Sequence, residues 1–204
     1  MHVQPIGQLS LYTAGGERKY LTEAERNALI MAARACPNPK LRTFCLTLVY
    51  TGCRISEALA ISGPCIERSS GFIAIRSLKK RKGAIVFREI PVPSELLDEL
   101  AATYDLAEPA KDRLWPWCRA HAWYLMKHLM VEAGIKGGIH ATPKGLRHGF
   151  GLHAIKSGVP INFVQRWLGH ARMETTAIYL QAMGVEEREI AARMWASKLP
   201  PSTP

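Results

Sequence analysis

One segment breaks the rhythm of this chain. Between residues 71 and 92, Phe72-Ile73-Ala74-Ile75 and Ile85-Val86-Phe87-Arg88-Glu89-Ile90 are β-rich runs flanking a basic, Gly-containing turn. Such runs on either side of a short turn predict an antiparallel hairpin, closed by Pro91 and Pro93. Everywhere else the apolar residues recur at helical spacing, punctuated by Pro and Gly. The fold class expected is therefore mainly α with a small antiparallel β-sheet.

The helix signals are local. Thr22-Glu23-Ala24-Glu25 reads as a capping box opening a helix that Pro37 and Pro39 end. A helix over 40–50 buries Phe44, Cys45, Leu48 and Val49 as one stripe, and a short helix follows Ser56. Ser94 caps a helix reaching Tyr104, and another covers 119–133. Thr142-Pro143 places an N-cap before a first-turn proline, opening a helix that stops at Gly158. Val159-Pro160 opens the next, up to Gly169, with Phe163 and Trp167 expected in the core. Thr175 is expected to cap a short helix carrying Tyr179, and a last helix spans 185–197. The 204 residues divide into a flexible N-terminal arm or linker over 1–19, one folded domain over 20–198 and a disordered tail over 199–204.

Twenty-seven Lys and Arg against 17 Asp and Glu give a net charge of +10, which points to a polyanionic partner, nucleic acid first. Four successive cations, Lys79, Lys80, Arg81 and Lys82, crowd the hairpin turn and repel one another unless a polyanion lies there. The five cysteines are widely spaced with no C-x-x-C pair, which favours a reducing compartment over a disulfide framework or a zinc site. A signal peptide and a membrane span are not expected, since no long apolar run occurs.

Three stretches carry chemistry. Thr51-Gly52-Cys53-Arg54-Ile55-Ser56-Glu57 sets an arginine at a helix break with Glu57 in reach, which by itself also fits a structural ion pair. The hairpin turn can deliver an ammonium to a phosphate. The third runs from Thr142-Pro143-Lys144-Gly145-Leu146-Arg147-His148 through Leu168-Gly169-His170 to Thr175-Thr176-Ala177-Ile178-Tyr179. Arg147 and His170 stand 23 residues apart, and His170 and Tyr179 nine. In identity, order and spacing this set resembles the catalytic domain of the tyrosine recombinase (phage integrase) family, over about residues 20–198. The family pattern is an Arg in T-G-x-R-x-S-E, a hairpin Lys, H-x-x-R, L-G-H and a Tyr in T-T-x-x-Y. One position departs from it: Lys144 stands where the family usually has histidine. Members usually carry an N-terminal helical domain that clamps the other face of DNA. With Thr22 already opening the first catalytic-domain helix, no room for it is expected here.

The resemblance implies the DNA breaking-rejoining fold and transesterification at a phosphodiester of double-stranded DNA, without metal, ATP or other cofactor. Tyr179 would be the nucleophile, forming a 3′-phosphotyrosine and freeing a 5′ hydroxyl. Arg54 and Arg147 would bind the non-bridging oxygens as bidentate forks, and His170 would add a third hydrogen bond. Neighbouring guanidinium groups are expected to favour the phenolate. Lys79, or else Lys80, would protonate the leaving 5′ oxygen. Glu57 would orient Arg54 or its neighbours. Lys80, Arg81 and Lys82 would bind DNA. Lys144 belongs to the catalytic set by position, but an ammonium at a helix N-terminus fits phosphate contact better than a base. The final helix would dock on a neighbouring protomer, and the protein would act in the cytoplasm at the nucleoid. Two alternatives stay open: a type IB topoisomerase, and a catalytically silent DNA-binding regulator on the same fold.

Overall fold

A computed structural model describes residues 10–78, 86–106 and 112–180. Helix α1 (Glu23–Ala35) starts at the expected capping box. The Thr22 hydroxyl accepts from the Glu25 amide at 3.2 Å, and the Glu25 carboxylate accepts from the Thr22 amide at 2.9 Å. Helix α2 (Pro39–Thr51) is capped by Asn38, whose side-chain oxygen accepts from the Lys40 and Leu41 amides. Phe44, Cys45, Leu48 and Val49 are all buried, and so are Leu46, Thr43, Thr47 and Thr51. A single stripe was too narrow an expectation, because α2 is packed on several sides by neighbouring helices. Two of these threonines tolerate burial by donating inward, Thr51 Oγ1 to the Thr47 carbonyl at 2.6 Å and Thr43 Oγ1 to that of Pro39 at 2.8 Å.

After α3 (Ile55–Ala58) the chain enters a sheet of three antiparallel strands, β1 (Ile66–Glu67), β2 (Phe72–Arg76) and β3 (Phe87–Pro91), in the order β1-β2-β3. The expected hairpin is present. Strand β1 is an addition, since two residues are too few to show a period. Ile73 pairs with Ile90 and Ile75 with Arg88. Period two therefore puts Ile73, Ile75, Ile90 and Arg88 on the core side, and all four are buried.

Helix α4 (Ser94–Thr103) begins at Ser94, with Pro93 rather than Ser94 as its N-cap. Helix α5 (Arg119–Glu132) buries Ala122, Met126, Leu129 and Met130. Helix α6 (Pro143–Lys156) opens as expected, the Thr142 hydroxyl accepting from the Gly145 amide at 3.0 Å. It runs through the middle of the molecule, packed by α1, α2 and α7 (Ile161–Leu168). A last short helix, α8 (Glu174–Ala177), leads to Tyr179. Its N-cap is Met173, so Thr175 does not cap it.

Two apolar clusters result. The larger gathers residues from α1 to α5 and the sheet; the smaller holds Leu11, Phe150, Leu152, Val164, Leu168 and Tyr179 between α6, α7 and α8. Each fully buried Leu, Ile or Phe contributes about 1.5–3 kcal/mol. Trp167 packs on both clusters, but Phe163 is exposed, stacked under the Arg166 guanidinium at 4.8 Å instead of in the core. Residues 10–19, expected in a flexible arm, form a closed turn: Tyr12 bridges Arg18, and Leu11 is buried in the smaller cluster. Residues 1–9, the expected turn over 79–85 and the expected final helix and tail beyond 180 lie outside the described residues.

Candidate active site

Two turns, α2–α3 and α7–α8, converge on the first half of α6, whose Arg147 bonds a carbonyl of each. Arg54 is the residue before α3. Its amide donates to Glu57 Oε2 and its Nη1 to Oε1, both at 2.9 Å. The Arg54 side chain stays about one-third exposed, at 35 %, while that of Glu57 is only 2 % exposed. Burial alone would push the Glu57 carboxyl up. Arg88 opposite it and Arg54 beside it outweigh that and hold it below the usual carboxylate range.

Arg88 was not among the residues singled out from sequence. Its Nη2 meets Glu57 Oε2 at 2.6 Å, its Nε donates to the Trp167 carbonyl at 2.7 Å, and its Nη1 donates to Ser77 Oγ at 3.1 Å. One buried guanidinium thus ties the sheet to α3 and to the end of α7. The available signal was the alternation of β3, which sets Arg88 on the same side as Ile90.

Arg147 is held just as firmly. Its Nη1 donates to the Gly52 carbonyl at 2.9 Å and its Nη2 to that of Leu168. Both acceptors are the last carbonyls before or at left-handed turns, with φ of 60° at Gly52 and 63° at Gly169. Burial first, then the charge of Arg54, lowers the Arg147 guanidinium to about 10, so it stays cationic at neutral pH. Among the described residues three of its five N–H groups have no partner, in an orientation two carbonyls have already fixed.

His170 follows the Gly169 turn. Its Nδ1 lies 2.9 Å from Thr176 Oγ1. Burial, with Arg147 and Arg54 next, pushes the imidazole down to about 3, so it is neutral at pH 7. A Thr176 hydroxyl donating to Nδ1 leaves Nε2–H as the donor of the ring.

Tyr179 has no exposed surface and stacks on His170, ring centroids 6.3 Å apart and planes 18° from parallel. Its hydroxyl lies 3.2 Å from His148 Nδ1. Helix α6 makes room at Gly151, where a Cβ would fall 2.5 Å from the phenol ring. Burial pushes Tyr179 up to about 12, outweighing Arg147 and Arg54, which do pull it towards the phenolate as expected. A phenolate without water costs more than two partly committed cations return.

Lys144 is exposed in the first turn of α6, one turn before His148. Burial, and then Lys144 itself, lowers the His148 imidazole to about 4. Of the residues expected from sequence, the structure brings Arg54, Glu57, Arg147, His170 and Tyr179 together and leaves Lys144 at the rim. Lys79, Lys80, Arg81 and Lys82 lie outside the described residues. His148 and Arg88 are additions. The arrangement presents two oriented guanidinium groups and a neutral imidazole donor around a phenol, a setting for an anion with an electrophilic centre.

Residues 19–184 match the model of the phage integrase family. The chain is 31 % identical over 186 residues to tyrosine recombinase XerA of Pyrococcus furiosus, covering 86 % of this chain and 61 % of that protein. It is 29 % identical over 153 residues to tyrosine recombinase XerD of Neisseria meningitidis, covering 69 % and 50 %. The chain thus spans less than two thirds of the length of these relatives. Among solved structures, a crystal structure of XerA recombinase superposes with a TM-score of 0.70 at 27 % identity, covering 86 % of this chain and 64 % of that one. The catalytic domain of bacteriophage HP1 integrase gives a TM-score of 0.64 at 22 % identity, covering 90 % and 98 %. XerH bound to a palindromic difH substrate after cleavage gives 0.71 at 20 %, covering 87 % and 53 %.

Proposed function

The chain belongs to the phage integrase family, and from that premise we propose that it is the catalytic domain of a site-specific recombinase that cuts and rejoins double-stranded DNA. The observation that carries this reading is the pair of carbonyl bonds from Arg147 to Gly52 and Leu168. They join the first-arginine segment, the α6 arginine and the Gly-His turn into one anion site beside the single tyrosine of the motif. DNA complexes are known for the related XerH and for the Tn1549 transposon integrase.

In this reading Arg54 and Arg147 clamp the non-bridging oxygens of the scissile phosphate, and His170 Nε2–H adds a third donor. These groups are fixed before substrate arrives, so stabilising the more highly charged transition state needs no reorganisation. Tyr179 attacks phosphorus, forming a 3′-phosphotyrosine as the bond to the 5′ oxygen breaks. Lys79, or Lys80, gives that oxygen its proton. Glu57 touches no substrate and orients Arg54 and Arg88. Lys144 binds a neighbouring phosphate together with the first amides of α6. Lys80, Arg81 and Lys82 grip the backbone. Residues 20–198 act as the catalytic unit, and the segment 185–197 docks on a neighbouring protomer. The enzyme works in the cytoplasm on nucleoid DNA. Because Tyr179 is fully buried, DNA binding must uncover its hydroxyl before cleavage.

The test is covalent capture. Wild-type protein incubated with duplex DNA should leave a band shifted by the mass of the chain on a denaturing gel. Tyr179→Phe should abolish the band while leaving noncovalent binding nearly unchanged. A Phe variant that still forms the adduct moves the nucleophile elsewhere. Wild-type protein that binds DNA and forms no adduct supports the silent-regulator alternative.

A further inference from the structure

The residue that touches the nucleophile is not one the family pattern carries over. His148 Nδ1 lies 3.2 Å from the Tyr179 hydroxyl oxygen, and among the described residues it is the only hydrogen-bond partner of that hydroxyl. The seat is built by one face of α6. Gly151 comes three residues after His148 and so lies on the same side of the helix. It leaves the gap that the phenol ring fills, while His148 meets the hydroxyl at the end of that ring. Arg147, one residue earlier, points elsewhere, to the Gly52 and Leu168 carbonyls.

We infer that His148 is the catalytic base for Tyr179, its Nδ1 taking the phenol proton as the phenol oxygen bonds to phosphorus. This rests on the recombinase reading above. In the forward step the Tyr179 O–H bond breaks, the O–P bond forms, the P–O5′ bond breaks, and the proposed acid Lys79 protonates the leaving oxygen. In religation the 5′ hydroxyl returns its proton to the Lys79 amine and attacks phosphorus. The phosphotyrosine bond then breaks, and His148 returns its proton to the phenol oxygen.

The surroundings of His148 explain why such a base is silent without DNA. Lys144 and Arg147 face it from α6, Lys19 from the N-terminal turn, and Tyr179 and His170 from the far side. Burial and the three cations keep the imidazole neutral, and in its Nε2–H tautomer the lone pair on Nδ1 faces the phenol hydroxyl. The same cations oppose an imidazolium until a phosphodiester docks among them. Its negative charge removes that opposition and makes proton transfer from Tyr179 feasible. Lys144, an exposed ammonium, has no lone pair to accept with and makes no contact with the phenol among the described residues.

The experiment uses duplexes selected from a randomised library by covalent capture with the wild-type chain. It measures single-turnover adduct formation for four proteins: the native chain and the His148→Gln variant, each with Tyr or 2,3-difluorotyrosine at position 179. Losing a general base should slow His148→Gln by roughly 10²–10⁴-fold, with duplex binding and thermal melting retained. The more acidic fluorinated phenol should recover a large part of that loss in His148→Gln and change the chain that keeps His148 little. Adduct formation by His148→Gln within threefold of wild type overturns the inference. So does a fluorinated phenol that accelerates both proteins equally, which is the signature of a residue that only shapes the pocket. A second measurement needs no substitution of His148. In the otherwise native chain, a series of fluorotyrosines at position 179 should give nearly constant rates. A tenfold gain per unit of phenol acidity means a phenolate formed without a base, and overturns it too. Failure to capture any duplex with wild-type protein instead defeats the recombinase reading itself.

Discussion

Glu57 carries a full negative charge in a place where only 2 % of its side chain meets solvent, and two arginines make that possible. Arg88→Met removes the better of the two partners and leaves the carboxylate with Arg54 alone. Breaking one side of a buried pair costs about 3–5 kcal/mol, and the retained Arg54 contact puts the expected loss near the lower end. Urea unfolding at pH 7 checks it, and adding Glu57→Gln should return part of the loss. The sign of the pH dependence follows from the depressed carboxyl. Its stabilisation is present above the ordinary carboxylate range and disappears as pH falls through the folded-state value. The gap between wild type and Arg88→Met should therefore narrow as pH drops towards 4, and a gap independent of pH defeats this account. Arg54, Glu57, Arg147, His170 and Tyr179 could be read in the sequence because their spacing is a pattern. Arg88 and His148 were harder to read because their roles exist only across space. One faces a carboxylate 31 positions away in the chain, the other a phenol also 31 positions away.

At the scale of elements, the boundaries carried by capping chemistry were legible. Thr22 and Thr142 each place a side-chain oxygen on a first-turn amide as expected, while Asn38, which does the same for α2, was not read as a cap between its two prolines. What failed were elements whose residues are claimed by something else. Thr175, expected as the cap, lies inside α8, which starts after Met173 without a side-chain cap, and its neighbour Thr176 pairs with His170 Nδ1. Phe163 and Trp167 share a helix face, yet of the two only Trp167 packs on the apolar clusters, beside Val164 and Leu168 of the same helix. The same tension decides Gly151. Helix propensity favours Ala over Gly by about 1 kcal/mol. Against that, the added Cβ would sit 2.5 Å from the ring of a fully buried Tyr179, and overpacking of that kind costs about 1–3 kcal/mol. Gly151→Ala should lower the melting temperature, and in a Tyr179→Ala background the same change should be neutral or stabilising. Additive effects in that double-mutant cycle would show that Gly151 is not there for the phenol.

For the molecule as a whole, the decisive balance is between a chain of net charge +10 and histidines folded into places that refuse more positive charge. Burial, then neighbouring cations, lowers His148 to about 4 and His170 to about 3, and lowers His153 as well. In the unfolded chain each returns to the ordinary imidazole value of about 6.5. A depressed folded-state value means that the stability is fully present above that figure and drains away as pH falls towards the folded values. Between about pH 6.5 and 4 the unfolded chain binds protons that the native one rejects, so acidification should lower the urea midpoint well before the carboxylates titrate. The Glu57 contribution has the same sign but belongs to a lower window, below the ordinary carboxylate range. The two can be separated by replacing His148 and His170 together with Gln. The midpoint of that variant should be markedly flatter from pH 7 to pH 5 while keeping the steep fall below that. A wild-type midpoint constant from pH 7 to pH 5 would mean that these imidazoles take up protons in the folded protein as readily as in the unfolded chain, and that burial does not hold His170 as a neutral donor across that range.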